Sequence, residues 1–179
     1  MSGEGQATVA ERHLKPEFQT VHDVVVVEQW DQTARRLTED EGALIDVFVA
    51  GVGPTGWQVV LDLPREKGWA YEYAEDGKRL PVPTPQIITT RRSTVSCSFK
   101  FEVTPNLSLT TAFFDPDDIE LWFDPRRLVT RDDVTGLRSV IRMLGRRLKA
   151  DVMVTTENHH DWVYLRYDLD RDEVIEVDS

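Results

Sequence analysis

The chain has 179 residues, of which 40% are hydrophobic and 30% charged, a composition that supplies one core and excludes a membrane-spanning protein. Its net charge of −11 opposes non-specific binding to nucleic acid, because a phosphate backbone attracts cationic surfaces. The single cysteine, Cys97, excludes an internal disulfide, and the lack of a basic and apolar signal region makes a cytoplasmic protein the expectation.

The first part of the chain predicts a polar lead-in, a strand, a helix and three further strands. Residues 1–20 are polar and aperiodic, so we expect disorder there. Four consecutive valines, Val24–Val27, predict a buried strand, and apolar residues at helical spacing predict a helix over 28–41. Apolar runs between Gly and Pro turn signals then predict strands at 43–50, 56–63 and 68–74.

The middle of the chain predicts a connection followed by a hairpin. Residues 80–86 contain three prolines within five residues, which cannot lie inside a paired strand. Residues 94–103 alternate between apolar and polar side chains, as is typical of a strand with one buried and one wet face. A Thr-Pro-Asn turn joins this strand to a second one at 107–114. The wet face can be solvated or covered by a second copy, so a homodimer stays open.

The last part of the chain predicts its strongest helix. Thr130 and Asp133 have capping-box spacing and begin a helix that ends near residue 149. Apolar residues recur along it every three or four positions, which predicts one buried side; they are Val134, Leu137, Ile141, Leu144 and Leu148. Strands are predicted before this helix at 119–123 and after it at 151–156, 162–168 and 173–177.

The two ends of the chain resemble each other in pattern. Asp46 lies eleven residues before Trp57, and Asp151 lies eleven residues before Trp162, with valines at matching offsets between them. Self-similarity of this kind predicts two halves with the same order of elements, each built as strand, helix and three strands.

Together these elements predict an α+β fold with a mainly antiparallel sheet and two helices. We expect residues 21–179 to form a single domain in which two β-α-β-β-β halves, 24–80 and 115–179, share one core. A Pro-rich connection and a hairpin at 87–114 would join the halves. Antiparallel pairing is expected because the connections between strands are short.

Glu157, His159, His160 and Asp161 form the most metal-like stretch of the sequence. Imidazole and carboxylate groups suit zinc, nickel or iron. The repeat, however, aligns the two histidines with a Gly-Pro turn of the first half, which indicates a hairpin turn. We therefore prefer a polar turn to a metal site, keep Glu157, His159 and His160 as the metal candidates, and expect no cofactor.

The sequence lacks the common catalytic and phosphate-binding motifs. Cys97 lies on the apolar side of its predicted strand, so we expect a buried and inert thiol. Three alternating aspartates, Asp168, Asp170 and Asp172, imitate the start of a calcium-binding loop, but Glu173 stands where that loop needs glycine. The chain is therefore predicted not to be an enzyme.

Positive charge is concentrated on the long predicted helix. Residues 126–149 carry eight basic and two acidic residues, a net +6, so the rest of the chain carries −17. Four arginines lie near one stripe of this helix, and they are Arg131, Arg138, Arg142 and Arg146. The preferred interpretation is a solvated side balanced by the chain's many carboxylates, and the alternative is a docking surface for a partner.

The functional prediction is a non-catalytic, cytoplasmic protein that binds another protein. Its acidity and size suit a partner-masking protein of the immunity-protein or chaperone type, in which an acidic surface covers a basic one. One alternative is a small-molecule-binding or metal-binding domain, or an enzyme, with a pocket between the halves. A second alternative is nucleic-acid binding through the basic helix 130–149.

Overall fold

The computed structural model describes residues 32–39 and 43–177, which contain four helices and nine strands. The helices are α1 (residues 32–37), α2 (Gly53–Lys67), α3 (Pro85–Arg91) and α4 (Arg131–Leu148). The strands are β1 (Ile45–Val49), β2 (Tyr71–Glu75), β3 (Lys78–Leu80), β4 (Cys97–Glu102), β5 (Ser108–Thr111), β6 (Ile119–Phe123), β7 (Val152–Thr156), β8 (His159–Asp168) and β9 (Glu173–Glu176). The predicted lead-in 1–20 and the strand at Val24–Val27 lie outside the described residues.

All nine strands form one antiparallel sheet in the order β3-β2-β4-β5-β6-β1-β7-β8-β9. The predicted α+β class with mainly antiparallel pairing is therefore confirmed, although the described part holds four helices rather than two. β1 is an interior strand of this order, between β6 and β7. Strands that are distant in sequence are thus neighbours in the sheet.

The strands place their apolar side chains on one face of the sheet, where the helices cover them. On β4, Phe99 and Phe101 are buried and Lys100 is exposed, as the alternation predicted. The apolar sides of α1, α2 and α4 belong to the same buried core as these strand residues. The opposite side of the sheet carries no helix in the described part, and we call it the outer face. Its residues include Asp46, Phe48, Ser98, Lys100, Thr110, Glu120, Trp122, Met153, Thr155 and Arg166.

Residues 56–63, predicted as a strand, form the middle of α2 instead. The buried residues Trp57, Val60, Leu61 and Pro64 recur at intervals of three, one and three, which is a helical period. The Gly-Pro pair taken as a turn places Pro54 in the first turn of α2, where proline is favoured because its missing N–H needs no partner.

Because residues 56–63 form a helix, the predicted repeat of elements does not hold in the first half. The stretch that ends at Trp57 runs from β1 into α2, whereas the stretch that ends at Trp162 is the β7–β8 hairpin. The first half therefore lacks the predicted order of elements, while the second half has it, as β6, α4, β7, β8 and β9. The Pro-rich segment leads into α3, which was not predicted. The division into a lead-in and a single domain stays a prediction.

α4 begins with the predicted capping box. The Thr130 side chain accepts a hydrogen bond from the Asp133 backbone N–H, and the Asp133 carboxylate accepts one from the Thr130 N–H at 2.9 Å. Asp133 also accepts hydrogen bonds from Thr104 and Asn106, which tie the helix to the β4–β5 turn. Burial raises the pKa of Asp133, but these hydrogen bonds outweigh that effect and leave the pKa below its ordinary value.

None of the described helices is both long and apolar enough to cross a membrane.

Candidate functional site

The β7–β8 hairpin reaches back over β1 on the outer face. Its register shifts twice near Thr155, and such bulges bend and twist a strand pair. At the turn, Asn158 adopts a left-handed backbone conformation with φ of 60° and donates its N–H to Asp46 Oδ2 at 3.0 Å. Glu157 accepts a hydrogen bond from the backbone N–H of Leu44 at 3.2 Å. These bonds fix the hairpin against the strand β1.

The hairpin brings His160 together with two carboxylates from other strands. Asp46 comes from β1 and Glu120 from the adjacent β6, and one ligand atom of each of the three residues lies within 4.8 Å of the others. The distance from His160 Nε2 to Glu120 Oε2 is 4.0 Å. Asp46 is only 2% exposed, and the side chains of Glu120 and His160 are 23% and 36% exposed. We call these three residues the carboxylate–histidine cluster.

The two carboxylates of the cluster are poorly solvated. Desolvation raises the pKa of Asp46 above its ordinary value; the Asn158 N–H lowers it, while the charge of Glu157 raises it further. Desolvation also raises the pKa of Glu120, and the negative charge of Asp46 adds to that effect. The sheet therefore holds two repelling carboxylates where their charge is costly.

Three buried side-chain polar atoms in the described part of the chain lack a hydrogen-bond partner. They are Thr155 Oγ1, His160 Nε2 and Arg166 Nε. Thr155 is 0% exposed and is the cross-strand partner of Asp46, so both side chains lie on the same side of the sheet. Buried polar atoms nearly always have partners in folded proteins, so the unpartnered atoms of His160 and of Thr155, which lies beside Asp46, distinguish the surroundings of the cluster.

The metal candidates predicted from the sequence do not come together as a set. Of Glu157, His159 and His160, only His160 belongs to a cluster with ligand geometry among the described residues, and its companions are Asp46 and Glu120. His159 is exposed, and Glu157 accepts a hydrogen bond from the backbone N–H of Leu44. The sequence did hold a signal for the missed residues, because each carboxylate interrupts an apolar strand, in "IDVFV" and "IELWF".

The predicted arginine stripe of α4 is partly neutralised within the chain. Arg138 lies 2.5 Å from Glu176 and donates to the Val174 carbonyl, while Arg146 makes two hydrogen bonds of 2.6 Å to Asp172. Arg147 on the same helix pairs with Glu66 at 2.7 Å. Arg131 and Arg142 are exposed. The positive charge of this helix thus serves largely to attach it to neighbouring acidic segments.

A large aromatic side chain is exposed at one end of the row of residues that crosses the outer face. The row runs through Trp122, Asp46, Thr155 and Val163, which are paired on β6, β1, β7 and β8. Phe114, 63% exposed, stacks on Trp122 with ring centroids 5.9 Å apart. Trp162, 55% exposed, is adjacent to Val163 in sequence but lines a surface hollow with Thr156 and His159, on the side of the strand pair away from Thr155. We call Phe114 and Trp122 the aromatic surface.

Comparison of the chain with models of protein families, with curated proteins and with solved structures gave no match.

Proposed function

We propose that this protein acts by binding a basic partner protein on the outer face of its sheet, and that it is not an enzyme. The observation that carries the proposal is the aromatic surface, in which Phe114 is 63% exposed and stacks on Trp122. A stacked aromatic pair on an open sheet face suits a binding anchor, because tryptophan is enriched among the residues that dominate binding energy.

The charge of the outer face supports a basic partner. Arg79 and Arg166 on this face pair with the neighbouring carboxylates Glu72 and Asp168. Among the exposed strand residues of this face, Lys100 then stands against two acidic residues, Glu102 and Glu173. The chain as a whole carries −11. An acidic surface speeds association with a basic one and disfavours acidic competitors.

The charges of α4 give less support to binding of an acidic protein or of nucleic acid through that helix. Docking of an acidic protein or of nucleic acid on α4 would have to compete with the pairs of Arg138 and Arg146 to Glu176 and Asp172. A partner-masking role, in which the acidic face covers a basic surface, uses the exposed carboxylates Glu102 and Glu173 instead.

Capture from native cell extract tests the proposal with a matched control. The immobilised baits are the wild type, the double variant Phe114→Ala/Trp122→Ala, and the control Ile87→Ala/Val129→Ala, which removes two exposed apolar side chains that are not on a strand. We expect the wild type and the control to retain a basic protein in stoichiometric amount, less of it at high salt. The purified retained protein should bind the aromatic variant at least about tenfold more weakly.

Three results would contradict this function. An acidic retained protein, or equal retention by the aromatic variant, would remove the outer face as the binding site. Self-association of the wild type that the aromatic variant loses, measured by light scattering, would place a second copy on this face instead of a basic partner.

A further inference from the structure

We propose that Asp46, Glu120 and His160 bind a divalent transition-metal cation. This inference goes beyond the proposed function and does not depend on it. It rests on where the sheet places three ligand groups and on the bonding of the atoms around them.

The ligand groups are close to the separation that one cation requires. Protein ligands lie about 2.0–2.2 Å from zinc and similar metals, so two ligands of one ion are roughly 3–4 Å apart. In the carboxylate–histidine cluster the ligand atoms lie within 4.8 Å of one another, and His160 Nε2 lies 4.0 Å from Glu120 Oε2. That distance is too long for a hydrogen bond and suits two ligands of a shared ion.

The unpartnered atoms provide independent support. His160 Nε2 is buried and has no hydrogen-bond partner, although a carboxylate lies nearby. The buried hydroxyl of Thr155, beside Asp46 across the strand pair, is also unpartnered. A cation with bound water would satisfy both kinds of atom, since the imidazole supplies its lone pair to the ion and the hydroxyl can bond to the water.

The surroundings hold the ligands in place. The ring of His160 stacks on Phe48, which restricts the plane of the imidazole. The Asn158 backbone N–H binds one oxygen of Asp46 and leaves the other for a ligand bond. Such contacts around a metal site orient its ligands and sustain its affinity.

The donor set selects the class of cation. Two carboxylates and one neutral imidazole carry two negative charges, which a divalent ion neutralises in a site where desolvation makes those charges costly. The imidazole nitrogen favours Zn²⁺, Mn²⁺, Fe²⁺, Co²⁺ or Ni²⁺ over Mg²⁺ and Ca²⁺, which prefer oxygen ligands throughout. Three protein ligands leave at least one position for water.

Calorimetric titration of the chelator-treated full chain with Zn²⁺ and with Mn²⁺ tests the site. We expect one high-affinity equivalent, with binding of Mg²⁺ and Ca²⁺ much weaker. His160→Gln and Glu120→Gln should each weaken Zn²⁺ binding at least about tenfold. His159→Gln is the matched control, because it removes an exposed imidazole one residue away on the same hairpin and should leave the affinity within about twofold.

A second measurement on the wild type needs no variant. In NMR spectra, Zn²⁺ should shift the ring protons of His160 and of Phe48 before those of His159. No stoichiometric binding, or binding that His159→Gln abolishes and His160→Gln preserves, would overturn the proposal. Because these titrations use the isolated chain, their failure would leave the partner-binding function untouched, and failure of partner capture would leave the metal site untouched.

Discussion

His160 lies almost flat on Phe48, with ring centroids 3.7 Å apart and 20° between the ring planes. The two residues belong to strands that β7 separates in the sheet, so the contact exists because the hairpin bends over the outer face. It joins the partly exposed imidazole to a phenylalanine that is 9% exposed. The orientation of the imidazole therefore depends on a residue with no ligand atom of its own.

Replacement of Phe48 by leucine should weaken the metal site without unfolding the protein. Phe48→Leu keeps an apolar side chain on β1 but removes the ring that holds the imidazole, so Zn²⁺ affinity should fall roughly tenfold in calorimetry. Met153→Leu, a change at the cross-strand neighbour of Phe48, should leave the affinity unchanged. Equal affinity of Phe48→Leu and the wild type would show that the stack does not position His160.

Glu120→Gln should stabilise the metal-free protein at pH 7. The pKa of Glu120 is raised above 4.5 by desolvation and by Asp46, so the folded state takes up its proton more readily than the unfolded state. Stability is therefore lost as the pH rises from 4.5 through the raised pKa, and the glutamine variant avoids this loss. Urea denaturation in the presence of chelator should show a gain for the variant at pH 7 that shrinks towards pH 4.

The control for that measurement is Glu102→Gln, which changes an exposed carboxylate of β4 and should alter stability by less than about 0.5 kcal/mol. A Glu120→Gln variant that is less stable than the wild type at pH 7 would show that this carboxylate contributes to the fold rather than opposing it.

Trp57 and Trp162, which the repeat aligned, should respond very differently to truncation. Trp57 is 2% exposed, packs on Phe113 and donates its indole N–H to the Asp115 carbonyl at 3.1 Å. Trp57→Ala should lower the free energy of unfolding by about 3–5 kcal/mol. Trp162→Ala should change it by less than about 0.5 kcal/mol, because that side chain is exposed. Similar losses for both variants in urea denaturation would contradict the structure.

Gly145→Ala should destabilise the protein although alanine favours helices. A Cβ at this position of α4 would overlap the ring of Tyr167, which is 1% exposed and has little room to move. The overlap should lower the free energy of unfolding by about 1–3 kcal/mol, whereas the higher helix propensity of alanine recovers about 1 kcal/mol. Ser139→Ala, at an exposed position of the same helix, should be neutral or slightly stabilising. A gain in thermal stability for Gly145→Ala would refute this close packing.

Asp172 should titrate far below a free aspartate. Hydrogen bonds from Arg146 and from the Tyr167 hydroxyl lower its pKa from 3.8 to about 2. The stability that its ionised form contributes is present above pH 3.8 and is lost as the pH falls towards 2. Carboxyl NMR should report this pKa directly, and Arg146→Gln should raise it towards 3.8. Arg131→Gln, at the other end of α4, should leave it unchanged.

Local features of the sequence were enough to predict most strands and the long helix. The capping box of Thr130 and Asp133 lies within four residues, and the alternation of Phe99, Lys100 and Phe101 within three, so each signal is complete inside one segment. The run 56–63 was assigned wrongly because a short apolar stretch fits a buried strand as well as a helix, and only its packing against the core decides between them.

The sequence by itself determined that this is an acidic α+β protein with antiparallel strands, because composition and periodicity are properties of the chain alone. Only the tertiary structure decided which strands are neighbours. The order β6-β1-β7 places Asp46 beside Glu120, residues separated by more than seventy positions, and the bent hairpin then adds His160. No local pattern encodes that meeting, because strand order depends on how the whole sheet buries its apolar face.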